Sequence, residues 1–488
     1  MRHTYVHEEN SVTTTSLDPA NPEVPAPPGT KQRRPAPAGL FRAFWRWHFY
    51  ASFLVIPVFA LLAATGLIYL FRFQIEPLLH ADVMRVSVPA DQRYQSMSTM
   101  LTAVEARYPD AEIGLVREGR DPDDAYAFAI TRPDGSTTDV FVDPWRAEVL
   151  GSLNPDTTLS GYAIRLHGDL MAGRWGDGLI EVAACWAIVM ALTGYYLFVS
   201  GRKARLRRKA KKVAGAALRH RHGLIGAVAG VGLLFMVLTG LPWTGFWGAK
   251  VQSFATDHGS SMWSLDPGAQ SKPGSALDES LPHSHAVEVP WAQGDTKIPG
   301  SAPAEEGASV ATVDTAVVVA EKEGLKHPMS IVLPTGDSGV FSVMGDAFSH
   351  PSDERTVHVD RFSGKVRADY GFEDYPLLAK AVSQGIGLHE GRSLGLVSFW
   401  GAALFCLAVL TLCVTGPLMW WRRRPKGAGS VGAPRGRMPL RSTWWLVGGL
   451  VVLGVLLPLF GVTLVAVLLL DQLVLRRVPA LRAAFDSA

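Results

Sequence analysis

The fold of this chain is decided by the stretch from His48 to Gly66, which reads HFYASFLVIPVFALLAATG. It is an apolar run that begins with a histidine and ends with the Thr-Gly pair Thr65-Gly66. The stretch from His222 to Gly240 repeats this pattern, with the same separation between its histidine and its Thr-Gly pair. Runs of this kind are typical of helices that cross a bilayer, which need about 20 apolar residues.

Two further histidines precede apolar runs at a longer distance. His167 precedes the pair Thr193-Gly194, and His389 precedes the pair Thr415-Gly416. The separation is identical in these two cases, and it is longer than the separation from His48 to Thr65. Along the chain the spacings therefore alternate short, long, short, long. This order predicts a tandem duplication of a two-helix unit, with one histidine for each helix.

The bulk composition fits an integral membrane protein. The chain has 488 residues, 48% of them hydrophobic, and long apolar runs alternate with polar stretches. Its three cysteines, Cys185, Cys406 and Cys413, all fall in apolar runs, so they are interpreted as small hydrophobic residues and not as a disulfide framework. We find no Walker A motif and no dinucleotide-binding glycine pattern, and nothing in the chain predicts a nucleic-acid partner.

Charge distribution predicts the orientation in the membrane. The loop 201–222 carries ten Lys or Arg and no acid, and the loop 422–441 carries seven basic residues and no acid. The positive-inside rule places both loops in the cytoplasm. The polar block 76–165 holds 15 acidic and 8 basic residues, so we expect it on the other side.

We therefore predict an α-helical integral membrane bundle, with four core spans from the tandem two-helix repeat and a fifth, C-terminal span, which carries two non-cytoplasmic α+β domains. The predicted segments are a disordered cytoplasmic tail (1–38), a first span (40–75), a first α+β domain (76–165), a second span with its histidine lead-in (166–200), a basic loop (201–221), a third span (222–247), a second α+β domain (248–388), a fourth span (389–421), a basic loop (422–443) and a last apolar run (444–475).

The last apolar run, 444–475, is ambiguous in length. It is long for one crossing and short for two. Pro458 can kink it, and we favour a single kinked fifth span. Arg476 and Arg477, which follow the run, favour the alternative, a re-entrant hairpin with both ends in the cytoplasm.

The two polar blocks share a pattern of a helix followed by strands. In the first block we predict a helix at Ser96–Tyr108 and strands at Ala125–Thr131 and Thr138–Val142. In the second block we predict a helix at Val313–Glu323 and strands at Ser330–Leu333, Gly339–Met344 and Thr356–Val359.

The predicted topology sorts the four histidines into two couples. His48 and His222 begin spans that leave the cytoplasm, whereas His167 and His389 precede spans that return to it. Two neutral imidazoles on opposed helices can hold a haem b between them. One couple at each face predicts two haem b groups across the membrane, which is an arrangement suited to carrying electrons.

Other interpretations stay open at this stage. The histidines can serve only as polar anchors of the spans, and the Thr-Gly pairs can serve only close helix packing. His220 competes with His222 as a ligand, although the matched spacing favours His222. Arg174 and Arg392 are candidates for pairing with haem propionates, because Arg binds carboxylates in a bidentate manner. The loop motif His283-x-His285 can bind a metal, although its position in a loop favours a role without one.

The chain resembles the PepSY-associated transmembrane proteins, the iron-regulated membrane proteins of Gram-negative bacteria. The resemblance covers residues 40–475 and rests on the histidine before each span, the Thr-Gly pairs, and the strand motif Val140-Phe-Val-Asp-Pro-Trp-Arg-Ala-Glu-Val-Leu150. Leu-His precedes the second and fourth spans, at His167 and His389. His222 with Gly226 matches the His-x-x-x-Gly start of the family, whereas His48 has Ser52 in place of that glycine.

This resemblance implies a bacterial inner-membrane protein with a cytoplasmic N-terminus and periplasmic PepSY-like domains. It implies a di-haem reductase that passes electrons to a ferric siderophore or another ferric chelate in iron uptake. The electron donor is then a quinol or a redox protein. The principal alternative is a non-enzymatic protein whose PepSY domains bind or restrain a periplasmic partner or protease. A transporter is a second alternative. The parallel orientation of the repeats and their unbroken spans argue against it.

Overall fold

The computed structural model describes residues 38–91, 93–258, 271–276, 290–293, 296–301, 310–346, 348, 350–423, 431 and 444–485. The predictions for the N-terminal tail, for His283-x-His285 and for most of the loop 422–443 lie outside these residues.

The helices follow the apolar runs and the predicted amphipathic segments. They are α1 (Ala38–Leu70), α2 (Arg72–Leu79), α3 (Ala81–Met84), α4 (Met97–Arg107), α5 (Leu159–Asp169), α6 (Arg174–Ser200), α7 (Arg202–Ala210), α8 (Ala216–Gly240), α9 (Trp247–Asp257), α10 (Val313–Lys322), α11 (Leu377–His389), α12 (Leu396–Trp421), α13 (Trp444–Leu456), α14 (Pro458–Leu470) and α15 (Pro479–Phe485).

Four long helices form the core of a bundle. Of the described residues, five segments are long and apolar enough to cross a membrane, namely Gly39–Leu70, Arg174–Ser200, Ala216–Gly240, Leu396–Trp421 and Pro458–Leu475. The first four correspond to the core spans predicted from the sequence. Helix α8 packs between α6 and α12, and Val55 and Phe59 of α1 join the same apolar core. Outward-facing side chains such as Val228 and Leu404 are exposed, as expected for helices that face lipid.

The last apolar run is a helical hairpin, not the single kinked span that we predicted. Gly454 and Gly461 would lie about 10 Å apart in a continuous helix. Instead, a Cβ atom built on Gly454 would lie 3.2 Å from Cα of Gly461. The chain reverses at Leu457, where Pro458 begins the second arm, because glycine at both positions permits the two arms to touch.

Both ends of the hairpin lie on one side of the bundle. The backbone N–H of Val431 donates to the carbonyl of Ala484 at 2.6 Å, and the indole of Trp420 at the end of α12 donates to Val431. The geometry therefore agrees with the re-entrant alternative.

The two polar blocks share one antiparallel sheet. Its strands are β1 (Glu112–Arg117), β2 (Tyr126–Thr131), β3 (Thr137–Asp143), β4 (Glu148–Leu153), β7 (Met329–Val332), β8 (Val340–Gly345), β9 (Arg355–Asp360) and β10 (Val366–Gly371), and a separate pair is formed by β5 (Ser271–Ala276) and β6 (Lys297–Pro299). The order in the eight-stranded sheet is β10-β9-β8-β7-β1-β2-β3-β4. The sequence led us to expect two separate domains, but the pairing of β1 with β7 joins them.

The joint between the two halves is central and buried. Leu115 and Val116 of β1 pair with Val332 and Ile331 of β7. Helices α4 and α10 cover one face of the sheet and share its apolar core. We call the face of the bundle next to this domain the sheet side. We call the opposite face, which carries the polybasic helix α7, the basic-loop side.

A charged cluster fastens the two halves beside this joint. Glu118 follows β1, and its carboxylate accepts from the backbone N–H of Met329 at 2.8 Å. The imidazole of His327 bridges Glu118 at 2.6 Å and Glu321 of α10 at 2.8 Å. The hydrogen bond to Glu118, and then the charges of both carboxylates, raise the pKa of His327 to about 9.

The pKa of His327 predicts how the stability of this charged cluster depends on pH. Because this value is above the ordinary 6.5 of an unfolded histidine, the stabilisation is complete below about pH 6.5 and is lost as the pH rises through 9. The side chain is about half exposed, so we expect His327→Gln to cost at most about 1 kcal/mol at pH 6. Thermal unfolding of the full-length wild-type and His327→Gln proteins measures this loss of stability. A deficit that persists unchanged at pH 10 would contradict the assignment.

Candidate functional site

In the first repeat, each histidine lies against the Thr-Gly pair of the other span. Nδ1 of His167 on α5 is 3.0 Å from Oγ1 of Thr65 on α1. Nδ1 of His48 on α1 is 2.9 Å from the backbone carbonyl of Met190 on α6, and 3.5 Å from Oγ1 of Thr193 one turn later. The two helices therefore exchange contacts reciprocally.

The second repeat has the same exchange. Nδ1 of His389 on α11 is 2.9 Å from Oγ1 of Thr239 on α8. Nδ1 of His222 on α8 is 2.9 Å from Oγ1 of Thr415 on α12. The sequence marked each Thr-Gly pair by its spacing to the histidine of its own span, whereas the contact crosses to the neighbouring span.

The threonine hydroxyls fix which imidazole nitrogen carries the proton. Each hydroxyl donates its single proton to a carbonyl one turn earlier in its own helix: Thr65 to Leu61 at 2.9 Å, Thr193 to Val189 at 2.7 Å, Thr239 to Phe235 at 3.0 Å and Thr415 to Thr411 at 2.8 Å. The oxygen can then only accept from the imidazole, so Nδ1 is the protonated nitrogen. At His48 the carbonyl of Met190 requires the same tautomer.

This tautomer leaves the Nε2 lone pair available. Across the described residues, Nε2 of these four histidines makes no hydrogen bond. A metal-binding histidine usually presents one nitrogen to the metal and donates the other N–H to an outer partner, which holds the ring in place. All four imidazoles therefore have the arrangement of an oriented metal ligand.

The glycine of each pair lies in contact with the ring, most closely at Gly194. A Cβ atom built on the glycine would meet Cε1 of the imidazole at 3.1 Å for Gly194 and His48, 3.6 Å for Gly66 and His167, 3.4 Å for Gly240 and His389, and 3.9 Å for Gly416 and His222. Each Thr-Gly pair therefore lies against an imidazole, with threonine as its polar partner and glycine in contact with the ring.

The imidazoles form one couple on each side of the bundle. His389 and His167 lie within electrostatic range of each other, and so do His222 and His48. Burial lowers the pKa of His167, and burial together with His167 lowers the pKa of His389 to about 4. The sheet-side couple is therefore neutral near pH 7, which is the form that binds a metal.

A cavity of about 1180 Å³ connects the sheet-side couple with the sheet. His167, His389, Gly66 and Gly240 line it at the level of the couple, among apolar side chains of the spans. Its volume exceeds the range of about 300–1,000 Å³ that is usual for small-ligand pockets.

These residues fit a haem. Across the described residues, no group of three or more His, Cys, Asp or Glu side chains is placed to hold a bare metal ion. A haem needs only two axial imidazoles with free Nε2 atoms and an apolar space between opposed helices. The sheet-side couple and its cavity provide both.

The weaker candidates lie elsewhere. His220 is on α8 two residues before His222, and its Nδ1 is buried with no hydrogen-bond partner among the described residues. Arg174 begins α6 and is exposed. Arg392 is partly buried and already ion-paired, with Glu390 at 2.7 Å and with Glu354 at 3.2 Å. Neither arginine lines the cavity.

The motif shared by the two polar blocks has a structural role at its aspartates. Asp143 accepts from the backbone N–H of Trp145 at 2.8 Å, and Asp360 accepts from those of Phe362 and Ser363 at 2.9 Å. Each aspartate therefore closes the turn between two strands.

Sequence reasoning missed residues at the sheet-side end of the cavity. Arg72, Tyr69 and Glu390 all line it, and the Tyr69 hydroxyl donates to Glu390 at 3.0 Å. Two signals pointed to them: Arg72 follows Gly66 by less than two helical turns, and Glu390 directly follows His389.

Replacing the threonines tests the proton assignment. Thr415→Val removes the only acceptor that the described residues offer to Nδ1–H of His222, whereas Thr193→Val leaves His48 bonded to Met190. We expect Thr415→Val to destabilise the protein by about 1 kcal/mol more than Thr193→Val, because a buried donor loses its partner. The melting temperatures of the two full-length variants in one detergent measure this. Equal losses would contradict the assignment.

Comparison with known families gives one finding that covers most of the chain. A family model described as "PepSY-associated TM region" matches residues 45–423. A comparison with curated proteins returned no match.

Proposed function

The chain belongs to the PepSY-associated TM family, and from this premise we propose that it is a haem-dependent transmembrane reductase. In this proposal it holds two haem b groups, takes electrons from a quinol or a redox protein on the basic-loop side, and delivers them to a ferric chelate, such as a ferric siderophore, on the sheet side.

The observation that carries the proposal is the common state of the four imidazoles. His48, His167, His222 and His389 all direct Nδ1–H to an oxygen of a neighbouring span and leave Nε2 unbonded. Histidines that only anchor spans at the membrane surface do not need one tautomer, a glycine against the ring and an opposed partner. A pair of axial ligands to haem iron needs a free Nε2 on each ring and an opposed partner.

When bound, haem would supply reversible one-electron chemistry. The chain's own residues do the rest. His167 and His389 would bind on the sheet side and His48 with His222 on the basic-loop side. The threonines orient the rings, and the apolar side chains of the spans exclude water. Reduction of Fe(III) to Fe(II) weakens its hold on hard oxygen ligands, which helps a chelate to release iron.

Charge supports the proposed orientation. Helix α7 carries six Lys or Arg and no acid, and it lies on the side away from the sheet. By the positive-inside rule this charge favours a cytoplasmic position for that side. In this proposal the N-terminus is then cytoplasmic, and the sheet domain lies in the periplasm of an inner-membrane protein. No described domain carries a nucleotide-binding motif, so the electron donor in this proposal is external.

A spectrum of the purified full-length protein tests the proposal. We expect a reduced-minus-oxidised haem b signal and two haems per chain, because each couple supplies two axial ligands. His167→Ala or His48→Ala should remove about half of the haem, since either variant breaks one couple and spares the other.

His258→Ala is the matched control, because this histidine is exposed and bonds only to the carbonyl of Phe254 among the described residues. It should keep the full haem content. A folded wild-type protein without haem absorption would rule the proposal out and leave the non-enzymatic binding of a periplasmic partner as the alternative.

A further inference from the structure

An arginine without a carboxylate partner among the described residues lies at the sheet-side end of the cavity. Arg72 begins α2, about 9 Å beyond Gly66 along a helix. Its Nη1 donates to the carbonyl of Tyr69 at 2.7 Å. Its guanidinium lies over the rings of Tyr69, Phe73 and Phe348, at 3.8, 4.2 and 4.4 Å from their centroids. No carboxylate of a described residue pairs with it.

Asp346, which lines the same cavity, pairs with another arginine. Arg120 lines the same cavity and is paired with Asp346 at 2.5 Å. Burial lowers the pKa of Arg120, and the charge of Arg72 lowers it further against the opposing effect of Asp346. Arg120 is therefore already paired, whereas Arg72 has no ion-pair partner among the described residues.

The carboxylate best placed by sequence turns away. Glu76 lies one turn after Arg72, the spacing at which a helix pairs opposite charges. Its carboxylate instead accepts from the backbone N–H of Ser160 at 2.5 Å. Arg85, which also lines the cavity, is occupied, because it binds Asp123 at 2.8 Å and Asp124 at 2.9 Å.

We infer that Arg72 binds a carboxylate of the cofactor, a haem propionate, at the sheet-side end of the cavity. The inference rests on the proposed function. The spans line the cavity with apolar side chains at the level of His167 and His389, so the charged edge of the macrocycle belongs at the polar end. A guanidinium over aromatic rings can donate its remaining N–H groups to a carboxylate. Arg72 takes the role that the sequence suggested for Arg174 and Arg392.

The duplication provides an internal comparison. Phe246 is the counterpart of Arg72 in the second repeat, because the offset from Arg72 to Phe246 equals the offset from His48 to His222. The repeat itself therefore does not require an arginine at this position, and Arg72 is a feature of one half only.

Haem and its dimethyl ester, which lacks the two charged carboxylates, separate charge recognition from ring binding. The full-length His48→Ala variant, depleted of haem, restricts binding to the sheet-side couple. We expect this protein to bind haem b roughly 10-fold more tightly than the ester, since a charge-assisted bond is worth about 1.5–3 kcal/mol. Adding Arg72→Ala should abolish the preference. Arg72→Lys should restore part of it, and Arg85→Ala should keep it.

Reduction potentials provide a second measurement that loss of packing alone would not produce. Removing a positive charge beside the haem disfavours its reduced form. In the otherwise wild-type protein, Arg72→Ala should therefore lower one of the two midpoint potentials by roughly the 59 mV of a tenfold change, with Arg72→Lys close to wild type.

The outcomes are distinct. The inference is overturned if the His48→Ala protein with Arg72 intact binds haem and the ester equally well. It is also overturned if the preference for haem persists after Arg72→Ala is added. If Arg72→Ala weakens only the binding of ferric citrate, the carboxylate belongs to the substrate and the inference also fails. A wild-type protein without haem refutes the proposed function itself, whereas two haems that are indifferent to Arg72 refute only this inference.

Discussion

The hydrogen bond from an imidazole Nδ1–H to an oxygen of the adjacent span is the interaction on which the rest of the structure depends. A threonine hydroxyl that has given its proton to its own helix has only acceptor capacity left. It therefore selects one tautomer of the histidine, holds the ring at a fixed angle and joins two helices. The glycine that follows lies against the ring, and at Gly194 a Cβ atom would come within 3.1 Å of the imidazole of His48. A Thr-Gly pair is thus a single device made from two ordinary residues.

The duplication divides the work between and within repeats. The orienting contacts stay inside a repeat: His167 meets Thr65, and His389 meets Thr239. The couples form between repeats, because His167 lies within electrostatic range of His389, and His48 within that of His222. Each repeat prepares its imidazoles alone, and only the packed pair of repeats creates a space between two of them.

Much of this arrangement could be predicted from the sequence, and the limits have physical reasons. The spans and the histidines could be predicted from hydrophobic runs and repeated spacings, because these are properties of the sequence alone. The strand β1, Glu112–Arg117, escaped prediction because Gly114 and a register shift between Ile113 and Leu115 break its alternation, yet it supplies the joint of the sheet. The reversal at Leu457 depends on Gly454 meeting Gly461, a contact that composition does not specify. Charge roles were the least predictable part, because Arg392 is bound by Glu390 and Glu354, whereas Arg72 is bound by no carboxylate of a described residue. Which arginine is available is a property of the whole set of neighbours, so it emerges only when the chain is folded.

The continuous sheet has a mechanical consequence. Its two halves belong to different repeats, and the hydrogen bonds between β1 and β7 join one repeat to the other. Alternating access in repeat-built carriers proceeds by rocking one repeat against the other. Here such rocking would have to break the buried hydrogen bonds between β1 and β7, so the sheet holds the two repeats rigidly together. It keeps the distance between imidazoles of different repeats constant. A constant distance agrees with the proposed electron transfer and not with alternating access.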